Sequence, residues 1–313
     1  MPRIGIVLGG GGLTGTAFHA GVLTALVDRV GWDARDAEVI IGTSAGSIAG
    51  ALIRAGFPPA DYVPRVAGLP MSSQGTAILG QAPPLTDPLP ERRTGRRPAS
   101  PALLRSVARR PWRYPVGVLA AALLPEGGRD VTQTAALFRG LLETWPTEPL
   151  WVCAVRLRDG QRIVFGRDQT ASVADAVSAS CAVPGYFAPV VVDGEAYVDG
   201  GMHSMTNLDV VADLDLDLVV VSAPLGTTEY AATDGANVLR APARARLARE
   251  VARLRDRGTP VVDVQPDRRM RQVMGTSTMV AAKRRPVAMA AREYAGEVIS
   301  QRWPFRRRPG SAT

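Results

Sequence analysis

The sequence predicts a three-layer α/β/α protein in which helices cover both faces of a mainly parallel central sheet. Short apolar runs alternate with stretches whose apolar residues recur at helical spacing, which is typical of parallel strands joined by helices. One run, residues 217–222, is almost continuously apolar, as in a strand buried on both faces. The 313 residues, 46% of them hydrophobic, are enough to bury a substantial core. We therefore expect a single α/β domain over residues 1–313.

Two strand-turn-helix units are predicted at the start of the chain. Residues 4–8 have the pattern of a buried strand, and residues 16–30 carry apolar side chains at helical spacing after a glycine-rich turn. The second unit has a strand at 38–41, a turn of small residues at 42–46 and a helix at 47–55. We expect the second turn to lie at the carboxyl edge of the sheet.

The rest of the chain continues the alternation. The predicted elements are a hairpin of strands 151–157 and 161–165, a helix at 172–182, strands at 195–198, 217–222 and 260–264, and helices at 237–257 and 287–300. From about residue 228 we expect a helical extension of the core. The last residues, 305–313, have the composition of a disordered tail.

Residues 68–130 differ in composition from the predicted core and are interpreted as an insertion. They are rich in proline, glycine and arginine, with Trp112, Tyr114 and an apolar run at 116–124 beside the arginine pair Arg109-Arg110. Long irregular segments inside a compact domain are often lids over a site. The insertion is therefore a candidate lid that contacts lipid, and the alternative is a surface excursion that packs its apolar part on the core.

The net charge of +8 comes almost entirely from arginine, because Lys283 is the only lysine among 37 basic residues. A basic surface suits phosphate-bearing partners, either nucleic acid or anionic lipid headgroups, although the same residues also serve to solubilise a surface. Nucleic acid is not expected as a partner because no nucleic-acid-binding module is recognisable. Peripheral contact with an anionic membrane surface is the remaining candidate, and oligomeric state is left open.

The sequence predicts neither a signal peptide nor a membrane span. Residues 4–8 lead directly into glycines without a cleavage site, which favours a cytoplasmic protein, with the inner membrane surface as a candidate peripheral location. The longest other apolar run, 116–124, is far below the roughly 20 residues that cross a bilayer. Cys153 and Cys181 lack the spacing of a disulfide framework or a zinc site, so both are predicted to be buried, reduced thiols.

The turn Gly42-Thr43-Ser44-Ala45-Gly46 matches a nucleophile elbow. In that motif a serine occupies a tight turn between a strand and a helix, and small neighbours avoid clashes within the turn. The predicted strand and helix are both present. A serine here would lie at a helix N-terminus, where free amides favour developing negative charge.

The loop after the first strand, which contains Gly10, Gly11 and Gly12, has two interpretations. Its backbone amides suit an oxyanion hole, because glycines let a substrate approach the main chain. The same loop, with Gly15, matches a dinucleotide-binding fingerprint, for which Asp36 or Glu38 would supply the ribose-binding acid. Taken alone, the loop favours the dinucleotide.

Asp199-Gly200-Gly201 follows the predicted strand 195–198 and decides between the two interpretations. It places a carboxylate in an open turn, and a nucleotide-binding protein has no use for this turn or for the serine elbow. A serine-histidine triad is an alternative, since His203 follows Asp199 in the chain order of α/β-hydrolases. His19 is interpreted as a helix-packing residue, with a role in lining the site as the alternative.

At this point the sequence resembles the patatin-like phospholipases, whose order is a Gly-Gly-Gly-x-Arg/Lys-Gly loop, then Gly-x-Ser-x-Gly, then Asp-Gly-Gly or Asp-Gly-Ala. All three motifs occur here in that order, and residues 179–189 resemble the family's alanine-serine to proline stretch. The resemblance covers about residues 4–222 without the insertion. It departs from the family at Thr14, where arginine or lysine is common.

The resemblance implies a patatin-like fold and a serine acyl hydrolase that cleaves carboxylic esters of lipids: phospholipids, lysophospholipids or acylglycerols. In this interpretation Ser44 is the nucleophile and Asp199 the proton acceptor, while Gly10, Gly11 and Gly12 form the oxyanion hole. Neither a metal nor a cofactor is implied. The alternative within the same fold is a catalytically silent lipid-binding scaffold.

Two further sequence features are interpreted without a catalytic role. Asn207 is expected to form a turn. The aspartates at positions 209, 213, 215 and 217 lack the glycine-centred spacing of a calcium loop and are expected to be ordinary surface carboxylates.

Overall fold

A computed structural model of the chain describes residues 2–80, 100–131, 135–228 and 235–305, with side chains described throughout except at 235–239. Its centre is an eight-stranded sheet in which seven strands lie side by side in one path and the eighth pairs beside that path. The predicted α/β class with a central sheet between helices is confirmed.

Five strands form the parallel part of the sheet. They are β1 (Ile4–Leu8), β2 (Val39–Gly42), β3 (Leu150–Arg156), β7 (Leu218–Ser222) and β8 (Val261–Val264). Strand β1 pairs in parallel with β2 and β7, and these pair in parallel with β3 and β8 respectively. All residues of β1, β2 and β7 are buried, as expected for strands covered on both faces.

The remaining strands are antiparallel and attach through β3. Strand β4 (Arg162–Phe165) forms the predicted hairpin with β3, and β6 (Glu195–Asp199) also runs antiparallel to β3. Strand β5 (Val190–Val192), which the sequence analysis missed, pairs with β6 at the edge. Three residues are too few for a period-2 pattern to be recognised.

Helices cover both faces of the sheet and meet different side chains of the same strands. Their bounds are α1 (Gly12–Val30), α2 (Ala45–Arg54), α3 (Tyr62–Ala67), α4 (Ser73–Leu79), α5 (Pro101–Arg109), α6 (Val116–Leu123), α7 (Phe138–Leu141), α8 (Val173–Cys181), α9 (Gly235–Asp256), α10 (Arg268–Met274) and α11 (Arg284–Arg302). Ile6 and Leu8 pack in one core with α1, α2, α8 and α11. Val7 points to the other face, where α9 packs.

The predicted insertion, 68–130, contains helices α4, α5 and α6, and its residues 81–99 lie outside the described residues. Leu103 of α5 and Val118 of α6 are fully buried in a small separate core with Val155 and Val198 of the sheet. Part of the insertion thus packs on strands β3 and β6. Of the predicted tail, Phe305 contacts the ring of Trp303, and residues 306–313 lie outside the described residues.

Candidate active site

The pairing of β3 brings two distant strand ends together. Gly42, the last residue of β2, is paired with Val152, whereas Asp199, the last residue of β6, is paired with Ala154. Because β4 occupies the opposite edge of β3 over these residues, β2 and β6 share one edge and run toward each other. Their carboxyl ends therefore face each other across Cys153, and the turns that follow them meet.

Ser44 occupies the first of these turns in a constrained backbone conformation. Its φ angle is 52°, which is uncommon for a residue other than glycine and costs about 1–3 kcal/mol. Its amide donates to Ser180 Oγ over 2.9 Å, and that hydroxyl donates to the Cys153 carbonyl over 2.7 Å. Helix α8, which carries Ser180, thereby ties the serine turn to β3.

The glycines that flank Ser44 allow this turn to pack tightly. A β-carbon at Gly46 would collide with the Leu8 carbonyl of β1, and one at Gly42 would lie 2.5 Å from the Ser47 Cα atom. Both contacts are with backbone atoms, which cannot move aside cheaply. The small residues of the elbow are thus required by the approach of the β2 to α2 turn to β1 and to its own helix.

Asp199 lies in the second turn and contacts Ser44. Its carboxylate lies close enough to Ser44 for that side chain to lower its pKa, and it accepts a hydrogen bond from the Gly201 amide over 2.7 Å. Asp199 is buried, with 3% of its surface exposed. Burial raises the pKa of Asp199 to about 6, and Ser44 and the Gly201 amide oppose this shift by stabilising the charged form. The carboxylate is consequently a stronger base than an exposed aspartate.

The two cysteines flank this pair of residues. Both are free and buried, as the sequence analysis predicted. Cys181 Sγ lies 3.8 Å from Ser47 Oγ, and burial raises the pKa of both the Cys153 and the Cys181 thiol to about 12. Both therefore stay protonated near neutral pH, so neither supplies a competing nucleophile.

The glycine loop lies beside Ser44. A β-carbon at Gly10 would be 3.6 Å from the Ser44 Cβ atom. The amide of Gly10 donates to the Met205 carbonyl over 2.7 Å, whereas the amides of Gly11 and Gly12 have no acceptor among the described residues. Gly11 directly precedes α1 and Gly12 is its first residue, and the first amides of a helix have no acceptor within the helix. Gly12, with φ of 59°, has the left-handed conformation that glycine adopts without strain.

His19 fixes the start of the glycine loop. Its Nε2 atom donates to the Gly9 carbonyl over 2.7 Å, which leaves Nδ1 to accept from the Ser222 hydroxyl over 2.8 Å. Complete burial lowers the pKa of His19 to about 4, so the ring stays neutral and keeps this hydrogen-bond pattern. The imidazole thus joins the carboxyl ends of β1 and β7, a more specific role than helix packing.

A segment of the helical extension covers the same loop. The Thr278 carbonyl accepts from the Thr14 amide over 3.1 Å, and a β-carbon at Gly12 would lie 2.8 Å from the Met279 sulfur. This segment joins α10 to α11. Sequence reasoning had no signal for it, because the contact depends on how α11 packs against α1.

Two features of His203 argue against its acting as the base for Ser44. Arg246 donates to its Nε2 atom over 2.9 Å, so the ring nitrogen that would accept a proton is occupied by a cation. Burial and the neighbouring arginines lower the pKa of His203 to about 4. This arrangement does not supply the free histidine nitrogen that the triad alternative requires.

Asn207 forms a turn, as expected from the sequence, and its side chain also hydrogen-bonds to both the Ser44 turn and the Asp199 turn. Its φ is 52°, and its side-chain amide donates to Thr43 Oγ1 over 3.0 Å and to the Gly200 carbonyl over 3.3 Å. Its Oδ1 atom accepts from Arg162 over 3.2 Å. Asn207 thereby links the residue before Ser44 to the residue after Asp199.

One of the predicted surface carboxylates is not on the surface. Asp209 is partly buried and forms a two-bond ion pair with Arg162, with oxygen to nitrogen distances of 2.6 and 2.9 Å. Burial would raise the pKa of this carboxyl, but Arg162 lowers it below its ordinary value. Asp209 thus fixes the arginine that holds Asn207, so the expectation of an ordinary surface carboxylate was wrong at this position.

The dinucleotide interpretation does not fit the sheet. The glycine loop follows the carboxyl end of β1, whereas Asp36 and Glu38 precede the amino end of β2. Because β1 and β2 are parallel, these acids lie at the amino ends of the strands, whereas the loop lies at the carboxyl ends. Glu38 is instead paired with Arg3 at 3.2 Å. A ribose acid must lie at the same edge as the glycine loop.

No group of three or more His, Cys, Asp or Glu side chains in the part of the chain that the structure describes is arranged to hold a metal ion. None of the helices in the described ranges combines the length and apolar character needed to cross a bilayer.

Comparison with known proteins identifies the family. The family model described as patatin-like phospholipase matches residues 6–212, which is more than half of the chain. An uncharacterized NTE family protein from Mycobacterium bovis is 28% identical over 233 residues, covering 74% of this chain and 52% of the relative. An uncharacterized NTE family protein from Mycobacterium tuberculosis gives the same values.

Two solved structures are also similar. VipD from Legionella pneumophila aligns with a TM-score of 0.45 and 14% identity over 96% of this chain and 67% of that chain. The type III effector ExoU aligns with a TM-score of 0.37 and 17% identity over 96% of this chain and 53% of that chain. The chain spans about half the length of the curated relatives it matches. By its match to the family model, the chain belongs to the patatin-like phospholipase family.

Proposed function

We propose that this protein is a serine acyl hydrolase that cleaves carboxylic esters of lipids through a Ser44-Asp199 dyad. The observation that carries the proposal is the placement of Ser44 beside a buried Asp199 whose pKa is raised to about 6. A nucleophile in contact with a base of raised pKa is the arrangement that acyl transfer requires. The match to a family described as phospholipases supports phospholipids, lysophospholipids or acylglycerols as substrates.

The first half of the reaction forms an acyl-enzyme. Asp199 accepts the proton of Ser44 as the serine oxygen bonds to the ester carbonyl carbon. The carbonyl oxygen becomes an oxyanion, and the intermediate then collapses with cleavage of the carbon to alkoxide bond. The protonated Asp199 returns the proton to the departing alcohol, which leaves an acyl group on Ser44.

The oxyanion hole is assigned to the amides of Gly11 and Gly12. Both lack acceptors among the described residues and lie at the N-terminus of α1, where the helix dipole favours negative charge. The Gly10 amide, which the sequence analysis included, is occupied by the Met205 carbonyl and is removed from the proposal. Thr14 leaves these donors unchanged, because oxyanion stabilisation here depends on the backbone.

The second half of the reaction releases the acid. Water enters as the alcohol leaves, Asp199 takes a proton from it, and the resulting tetrahedral intermediate expels Ser44. The proton held by Asp199 passes back to Ser44 Oγ, and the enzyme is regenerated with a free carboxylic acid product. A catalytically silent lipid-binding scaffold would bind lipid without any of these steps.

Labelling with a fluorophosphonate probe tests the function directly. The probe phosphonylates activated serines, so we expect one adduct, located by fragmentation on Ser44 within the tryptic peptide spanning residues 36–54. Ser47 lies in the same peptide and provides the matched control. Its hydroxyl donates to the Ser44 carbonyl over 2.7 Å rather than to a base, so it is not activated as a nucleophile. Ser47→Ala should label at the wild-type rate. A folded protein that binds lipid but takes up no probe would point to the silent scaffold.

The pH dependence of ester hydrolysis identifies the base. Asp199 must be ionised to accept a proton, so kcat/KM should fall about tenfold per pH unit below its pKa of about 6. A base at His203 would place this limb near pH 4. The measurement is kcat/KM for p-nitrophenyl butyrate from pH 4 to 8.5, read at the isosbestic wavelength of p-nitrophenol. Circular dichroism at each pH is the control for unfolding, and a limb near pH 4 in folded protein would contradict the assignment of Asp199.

A further inference from the structure

Helix α6 exposes apolar side chains along one side. Val116 and Leu123 are each 67% exposed, and Ala120 between them is also exposed, so residues at i, i+4 and i+7 form one outward stripe. The opposite side of α6 is buried through Val118 and Ala122. The helix contains no polar residue, whereas a surface helix normally presents polar side chains to solvent.

The turn before α6 and helix α5 extend this surface with an aromatic ring and positive charge. Trp112 is 78% exposed, the largest exposure among the large hydrophobic side chains described. On α5, Leu103 and Val107 are buried, which places Arg105 and Arg109 on the outward side. Neither arginine forms an ion pair within the described residues.

These side chains form one surface, which we call the α5-α6 face and define by Arg105, Arg109, Trp112, Val116 and Leu123. Both helices bury their other sides in the same small core and pack against each other. The composition combines an interfacial tryptophan, aliphatic side chains and arginines. Such a combination binds the boundary of an anionic bilayer, where rings and aliphatic groups enter the headgroup region and arginines pair with phosphates.

The α5-α6 face is joined to the turn that follows Asp199. A β-carbon at Gly117 would lie 2.8 Å from the Met202 Cα atom, and Met202 belongs to the short helical turn Gly200–Met202. Leu124, at the end of α6, lies near Gly185, whose added β-carbon would be 3.6 Å from the nearest Leu124 carbon. Helix α6, which carries part of the face, therefore packs directly on the turn that follows the base of the proposed dyad.

We propose that the α5-α6 face docks the protein on anionic membrane surfaces. The inference deepens the proposed function, since docking there would bring lipid esters to the dyad. Charge complementarity selects the partner: the exposed arginines suit an anionic bilayer, and a neutral one offers them no net charge. The exposed tryptophan and aliphatic side chains add an apolar contribution that salt does not screen.

Vesicle co-sedimentation tests the proposal without depending on catalysis. The full chain is mixed with vesicles of phosphatidylcholine alone or with an equimolar mixture of phosphatidylcholine and phosphatidylglycerol. Binding is expected to the mixed vesicles and to be at least tenfold weaker to the neutral ones. Arg105→Gln with Arg109→Gln, and separately Val116→Ser with Leu123→Ser, should each weaken binding to the mixed vesicles by roughly tenfold.

Matched variants elsewhere on the surface provide the controls. Val191→Ser changes a valine that is 66% exposed on β5, and Arg253→Gln removes an exposed arginine of α9. Both should bind like the wild type, and equal losses in them would overturn the assignment to the α5-α6 face. Absence of binding to mixed vesicles would also overturn it. So would face variants that bind vesicles like the wild type but no longer form a dimer that the wild type forms, because the face would then be a contact between two copies of the chain.

Hydrolysis of a soluble p-nitrophenyl ester separates failure of docking from failure of the proposed function. The face variants should hydrolyse this ester at the wild-type rate, because the substrate needs no membrane. Intact soluble-ester hydrolysis without vesicle binding would reject docking alone. Vesicle binding without hydrolysis of any ester would reject the proposed function and leave the docking surface standing.

Discussion

Replacement of Ser44 by alanine is expected to lower kcat for p-nitrophenyl esters by a factor on the order of 10⁴ to 10⁶. The variant lacks the atom that forms the acyl-enzyme. Binding of the substrate should change little, so KM is expected to stay within a few-fold of the wild type. Steady-state kinetics on a short-chain and a long-chain ester provide the measurement.

The matched control for this variant is His203→Asn. It removes the imidazole of the triad alternative and leaves Ser44, Asp199 and the glycine loop in place. Because Arg246 already occupies His203 Nε2, kcat should remain near the wild-type value. Retained turnover in Ser44→Ala would falsify the dyad, and so would a loss of kcat in His203→Asn that exceeds the loss in Asp199→Asn.

Replacement of Asp199 by asparagine is expected to lower kcat by about 10⁴-fold. The amide keeps the shape of the side chain and an oxygen that accepts from the Gly201 amide, but it cannot take the proton of Ser44. Fluorophosphonate labelling of Ser44 should slow by a similar factor. Asp36→Asn is the control, since Asp36 is exposed at the opposite edge of the sheet and its replacement should leave kcat unchanged.

Asp199→Asn should also be more stable than the wild type near neutral pH. Folding raises the Asp199 pKa from 3.8 to about 6, so ionisation of this group above pH 6 opposes folding by about 3 kcal/mol. The neutral amide avoids this cost. The gain in the free energy of unfolding should therefore be present at pH 8 and shrink between pH 6 and pH 4. Urea unfolding at several pH values measures it, and a variant less stable than the wild type at pH 8 would contradict the raised pKa.

Local sequence patterns were sufficient for most of the secondary structure. The predicted strands at 4–8, 38–41 and 217–222 correspond to β1, β2 and β7, because continuous apolar runs between turn residues identify buried strands. The long helices near the C-terminus were recognised from their spacing. The missed elements are short, including β5 and α10, and their apolar residues are too few to establish a period.

The sequence by itself determined the order of strands and helices, and it placed Ser44 and Asp199 each in a turn after a strand. Whether those turns meet was decided by tertiary structure, because β2 and β6 approach each other along the same edge of β3. Tertiary contacts also decided which loop amides remain free and how burial shifts the pKa of Asp199. Hydrogen bonding and desolvation depend on neighbours distant in the chain, and no local pattern records them.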